Sequence, residues 1–345
     1  MNDWPLIAIS HWISLDAHGR QEERNDAACF QSGASWHIVD WMRWSSHSQS
    51  LDLVETAFMT VIYEPLYREG QELTEFAFKP LVLADNSQSA WREFRILVDF
   101  YRSGRHRNQR TGIFSPKFGM KTKVPAERFI EFCDSNASSD VCLINPFPQI
   151  AYYSYNVWMQ GEINHPGLTE RAQALLNECG IKWDLATIPR HSPRVLAYSN
   201  FWVGSEAFWE RYVGGVLDRI ALHIERNPDS AAVVAIMGDT WHTDVAPFLP
   251  FIIERLFSTF LSLESSVSVA AYQFPDVAAY CLTDYERELV TSIAPIIDAA
   301  DASAEFPPDL IAIQRLMCSL YVRYAQEHFA TKAHPHSGRT VDQRA

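Results

Sequence analysis

Apolar residues recur along this chain in two periods, and the two predict different elements. Short runs rich in β-branched and apolar residues read as strands: Pro5–Ser10, Phe58–Tyr63, Leu81–Ala84, Asp140–Asn145, Val195–Val203 and Ser266–Tyr272. A period near 3.6 predicts helices over Trp91–Tyr101, Val124–Cys133, Leu168–Cys179 and Ala207–Glu225. The strongest helix covers Pro247–Leu263, where Leu249, Ile252, Ile253, Leu256, Phe257, Phe260 and Leu261 form one broad apolar stripe. Two more helices are expected near 284–300 and 309–329. Residues 11–56 carry no clear period, and no internal repeat is seen.

Strands alternating with helices predict an α/β fold with an open sheet, largely parallel, flanked by helices. The expected organisation is an α/β domain over 1–264, a strand and helices over 265–330 packed on it, and a disordered tail over 331–345. The tail is His-, Pro-, Ser- and Arg-rich.

Composition narrows the classes. The chain has 345 residues, 47% of them hydrophobic and 21% charged, which suits a globular protein with a large core. A net charge of −13 argues against nucleic acid as a partner. Cys29, Cys133, Cys142, Cys179, Cys281 and Cys318 form no C-x-x-C, so they read as reduced thiols. The first residues have no basic leader, and no apolar run reaches the roughly 20 residues of a membrane span. A cytoplasmic location is therefore expected, with no transmembrane segment.

Charge is unevenly placed. Between Asp99 and Glu127 there is no acid, yet Arg102, Arg105, Arg107, Arg110, Lys117, Lys121 and Lys123 all fall there. Such a reversal in an acidic chain is either a solvated loop or an anion site, because clustered Arg and Lys suit phosphates. From Glu264 to Asp309 the balance inverts, with nine acids and one Arg, a solvated acidic surface. Dinucleotide and P-loop fingerprints, H-E-x-x-H and the nucleophile elbow are all missing. Asp239, His242 and Asp244 share one loop, a weak metal pattern.

An ordered series of short signatures carries a resemblance. They are Trp91-Arg92-Glu93-Phe94, then Gly112-Ile113-Phe114-Ser115-Pro116-Lys117-Phe118 with Lys121-Thr122, then Asp140 to Pro148 (DVCLINPFP). Next come Asn156 to Glu162 (NVWMQGE), His165-Pro166-Gly167-Leu168, Ser199-Asn200-Phe201 with Phe208-Trp209, and Phe251 to Ser258 (FIIERLFS). From about residue 76 to 263 the chain resembles a bacterial family of glycosyltransferase-like proteins of the capsule and lipopolysaccharide type. The resemblance implies a glycosyltransferase A-like open mixed sheet. It implies transfer of a sugar from a nucleotide-sugar donor to a cell-surface glycan or glycolipid, with peripheral membrane association through the acceptor. No Asp-x-Asp occurs, so the site is either metal-independent or holds a divalent ion such as Mn or Mg through a degenerate motif.

A transferase of this class must hold a diphosphate, grip a sugar and stabilise the charge that leaves. Lys117 and Lys121, four apart, are candidates for the phosphates, or else surface lysines. Asn145 ends a strand, where ligands of open sheets bind, or else caps its own turn. Asn156, Trp158 and Gln160 stand in an aromatic run with interleaved polar residues, a carbohydrate platform or a core helix edge. Asn200 belongs to the later signature and is a further substrate-binding candidate. Glu254 and Arg255 interrupt an apolar helix, as a charge pair in the site or as a buried network. Glu162, His165, Asp239 and Glu254 are the residue types that could act as general base, and Glu254, Glu162 and His165 are the catalytic candidates. The alternatives are a glycoside hydrolase, which the basic segment disfavours, and a non-enzymatic carbohydrate-binding protein.

Overall fold

The computed structural model describes residues 59–83, 89–241, 245–336 and 338–341. They lie in one compact unit, 55–345. The strand expected at Pro5–Ser10 falls outside them, as do His242 and Asp244.

Six strands form the main sheet. They are β1 (Thr60–Leu66), β2 (Lys79–Val82), β3 (Arg110–Ile113), β4 (Val141–Leu143), β5 (Trp202–Gly204) and β8 (Val269–Ala271), in the order β2-β1-β3-β5-β4-β8. β1 runs parallel to β2 and β3, and β4 runs parallel to β8. β5 is antiparallel to both β3 and β4. The sheet is therefore mixed, as the resemblance implied, with the antiparallel β5 departing from the largely parallel arrangement that the alternation of elements suggested. A separate two-stranded ladder joins β6 (Asp239–Trp241) to β7 (Val245–Pro247).

Successive strand residues point to opposite faces, and both faces are covered. Val141, Leu143 and Trp202 enter one core, while Cys142, Ile144 and Val203 enter the other. The smaller core is closed by α2 (Phe118–Thr122) and α3 (Ala126–Ser135), through Phe118 and Phe129. The larger core takes α1 (Glu93–Arg102), α5 (Val157–Asn164), α6 (Leu168–Glu178), α9 (Ala231–Met237) and α10 (Phe248–Leu263). It also takes one continuous helical run: α7 (Glu206–Trp209), a π-helical stretch Glu210–Leu217, and α8 (Asp218–Arg226). A third core joins α4 (Ile150–Tyr153) to α11 (Asp284–Ser303) and α12 (Pro308–Phe329).

The strand expected at Val195–Val203 shrinks to Trp202–Gly204, because Ser199 and Asn200 have φ of 66° and 53°. Left-handed backbone cannot continue an extended strand. β3 was not anticipated. Its Gly112 is required, since a Cβ there would meet the carbonyl oxygen of Trp202 at 2.5 Å.

α10 is buried almost all round, and Phe257 stacks on Trp202 of β5 at 5.5 Å and 10°. Of its two charged residues, Arg255 is buried and Glu254 is half-exposed. No helix among the described residues is long and apolar enough to cross a membrane. Beyond α12, residues 331–336 and 338–341 are irregular in structure. Val341 N–H donates to the carbonyl of Phe329 at 2.8 Å, and the His334 and Arg339 backbones pair at 2.8 Å. The imidazole of His334 lies 4.6 Å from the Phe329 ring.

Candidate functional site

The carboxyl ends of β3 and β4 adjoin residues just before β5, since β5 runs the opposite way. Open sheets bind ligands at such ends. After β3, Phe114 and Phe118 are fully buried against Phe78, Phe129 and Phe201. That aromatic packing anchors α2, so Lys117 and Lys121, one turn apart, are held on a fixed backbone.

Lys121 Nζ donates to Ser199 Oγ at 2.9 Å and lies 5.8 and 6.0 Å from the Phe147 and Phe201 rings. Burial pushes its pKa down, while Glu254 and Glu93 oppose that shift. The backbone N–H of Ser199 donates to Glu254 Oε1 at 2.7 Å. Ser199 thus links the cation of α2 to the carboxylate of α10. Lys117, half-buried, is also lowered by burial and by the charges of Lys121 and Arg339.

Two features mark this corner. The first is backbone strain. Ser199 and Asn200 are consecutive left-handed residues, and Arg92, just before Glu93, has φ 50° and ψ −134°. Each such residue costs on the order of 1–3 kcal/mol, and such positions cluster at functional sites. The second is unmet polarity: Asn200 Oδ1 and Tyr198 Oη are buried with no hydrogen-bond partner. Orphaned polar atoms of this kind call for a ligand or ordered water.

The other sequence candidates have structural partners. Asn145 closes its own turn, accepting from Phe147 N–H at 3.0 Å and donating to the Phe147 carbonyl. Asn156 caps α5 through Trp158 and Met159 N–H. Trp158 is core, its Nε1 donating to Thr259 Oγ1 at 2.9 Å. Glu162 accepts the N–H groups of Gly167 and Thr169 at the start of α6, and these bonds, outweighing desolvation, hold its pKa low. His165 is buried, its ring stacked on Phe251 at 4.1 Å and its Nδ1 3.3 Å from Thr240 Oγ1. Arg255 donates to the Val157 and Phe251 carbonyls and to Gln160 Oε1 at 3.0, 2.7 and 2.6 Å. Gln160 is therefore taken up by Arg255.

The basic segment divides likewise. Arg102 is paired with Asp218 and Glu225. Arg105 and Arg107 are exposed, and Arg110 binds the Ala137 and Ser139 carbonyls at the opposite end of β3. The structure brings together Lys117, Lys121, Asn200 and Glu254. It adds Ser199, Tyr198 and Glu93, inside or beside the signatures that carry the resemblance. Among the described residues no three His, Cys, Asp or Glu side chains converge as metal ligands. Comparisons with protein-family models, with curated proteins and with solved structures find no match to this chain.

Proposed function

We propose that this protein is a glycosyltransferase, moving a sugar from a nucleotide-sugar donor to a cell-surface glycan or glycolipid acceptor. The observation that carries the reading is the Lys121–Ser199–Glu254 chain, with Lys117 beside it, beyond the carboxyl ends of β3 and β4. In this reading the two lysines meet the donor diphosphate and take up the charge released as the glycosidic bond breaks. Half-buried cations are well suited to that work, because a low local dielectric strengthens each contact. Glu254 holds the Ser199 turn by its backbone and offers its carboxylate to an acceptor hydroxyl. Asn200 Oδ1 and Tyr198 Oη, both orphaned, are the groups a sugar hydroxyl would satisfy. An open mixed sheet flanked by helices is consistent with a glycosyltransferase A-like fold.

The test is a thermal-shift screen against UDP-, GDP-, CMP- and dTDP-sugars, with and without Mn²⁺. A ligand at about 100 times its Kd stabilises by about 2.7 kcal/mol. One donor class should shift the wild type, and Lys121→Met should lose that shift. No shift from any nucleotide sugar, together with glycan binding, would turn the reading towards a carbohydrate-binding protein.

A further inference from the structure

α12 carries two stripes of side chains, and only one of them is covered. Leu310, Gln314, Cys318 and Tyr321 are buried on the side that meets α4 and α11. Offset by about one residue, Asp309, Ile313, Leu316, Leu320, Arg323 and Glu327 recur at steps of four and three, and all six are exposed. Such steps keep residues on one face of a helix. Adjacent residues point about 100° apart, so this second stripe turns away from the core. Leu316, at its middle, is 59% exposed. Among the described residues no other helix exposes more than one large apolar side chain, whereas α12 exposes three on one face. Single exposed apolar residues are ordinary, but a contiguous stripe marks an interaction surface.

The charges at the ends of the stripe say what fits it. Asp309 lies seven residues before Leu316, and Arg323 seven after it. A stripe with an acid at one end, a base at the other and leucine midway is complementary to a copy of itself that runs the opposite way. Crossing at Leu316, that copy sets each Asp309 against an Arg323, brings Ile313 near Leu320, and packs Leu316 on itself. A parallel copy would instead set Asp309 against Asp309 and Arg323 against Arg323, and like charges repel. Ala312 and Ser319 beside the stripe are small, which lets a second helix approach closely. Arg323 pairs with Glu327 of its own helix at 3.5 Å, but both side chains are exposed and such a pair is weak. The exposed Asp309 and Glu327 disfavour an anionic lipid surface as the occupant.

We propose that α12 is a self-association surface, through which two copies of this chain pair antiparallel about a two-fold axis at Leu316. Closed two-fold interfaces are self-complementary in this way, each residue meeting its counterpart reciprocally. The inference stands apart from the sugar-transfer reading and does not depend on it.

Sedimentation equilibrium on the full chain tests it. Wild type should show a concentration-dependent equilibrium between monomer and dimer. Leu316→Glu sets two carboxylates against each other at the axis and should weaken dimerisation about a hundredfold. Asp309→Lys and Arg323→Glu should each weaken it about tenfold, and the two together should recover to within about threefold of wild type. All three positions are exposed, and melting temperatures of the variants check that folding is kept. A monomeric wild type overturns the proposal, as does a dimer that Leu316→Glu leaves intact. A double variant as weak as either single one overturns the antiparallel pairing. A monomer that Leu316→Glu destabilises would mean that another part of this chain covers the stripe. A monomer that binds phosphatidylserine vesicles through Leu316 would mean a membrane surface, and either result displaces the dimer.

Discussion

Glu254 Oε1 accepts the backbone N–H of Ser199 at 2.7 Å, across 55 residues of sequence, and so fixes a left-handed turn against the wall of α10. The same carboxylate is an opposite charge for Lys121, which donates to the Ser199 hydroxyl. Shape and charge can be separated here. Glu254→Gln keeps an acceptor for the Ser199 N–H and removes the charge. Stability should stay within about 1 kcal/mol of wild type in urea denaturation, while nucleotide-sugar turnover falls by tenfold or more. Unchanged turnover would reduce Glu254 to a support for the turn.

Asn200 gives a second test, because its backbone is left-handed and its Oδ1 is buried without a partner. Glycine adopts that backbone freely and carries no polar side chain. Asn200→Gly should therefore fold at least as stably as wild type, with a gain of up to about 1 kcal/mol. Donor or acceptor affinity should fall at the same time. Greater stability with weaker binding is the signature of a residue retained for function. A loss of more than about 1 kcal/mol would show that Asn200 is structural.

Stability against pH probes the interior beside α5. His191 is fully buried, and its Nδ1 accepts the Val157 N–H at 3.3 Å. Burial lowers its pKa from 6.5 to about 3, with Arg190 adding to the shift. Below 6.5 the unfolded chain takes up a proton that the folded chain refuses. Stability is therefore lost as pH falls from 6.5 towards 3, at about 1.4 kcal/mol per pH unit. In His191→Gln that loss is absent, so the wild type's advantage over it should shrink by about 2 kcal/mol between pH 7 and pH 5. Urea midpoints at both pH values measure this, and an equal gap at both would show that His191 is not held neutral.

The elements legible in the sequence are those whose burial is plain in their composition. α10 shows as an apolar run and β4 as a short apolar strand. β3 was hidden because its buried residues include Arg110, Thr111 and Gly112, each with a local reason to be there. Arg110 ties down two carbonyls, and Gly112 admits the neighbouring backbone. The candidate site was legible where charge broke a pattern: Lys117 and Lys121 in an acidic chain, and Glu254 on an apolar helix. At 156–165 the pattern reads both ways, because helix caps draw on the same residue types as a sugar platform. Asn156 and Glu162 spend their oxygens on backbone N–H groups. Ser199 was obscured because its role depends on a backbone conformation that apolar patterning does not encode.

Arg255 and Gly161 make the last test, because together they show what the N-V-W-M-Q-G-E signature does in this structure. Arg255 is 2% exposed, and its guanidinium clamps α5 to α10 through Val157, Gln160 and its own helix. A Cβ on Gly161 would collide with that guanidinium, so the glycine makes room for the clamp. Gly161→Ala must displace the arginine and lose its bonds, although alanine favours a helix by about 1 kcal/mol. Each hydrogen bond of a charged group is worth about 1.5–3 kcal/mol, so the loss should exceed that gain. Arg255→Met instead removes the charge and leaves the Val157 carbonyl and Gln160 to be satisfied, at about 1–3 kcal/mol. Both variants should lower the urea midpoint, and the double variant should be less destabilised than the sum of the two, because with the guanidinium gone Gly161→Ala has less to displace. Additive losses would show that the two residues act independently, and a wild-type midpoint in Gly161→Ala would show that the arginine has another place to go.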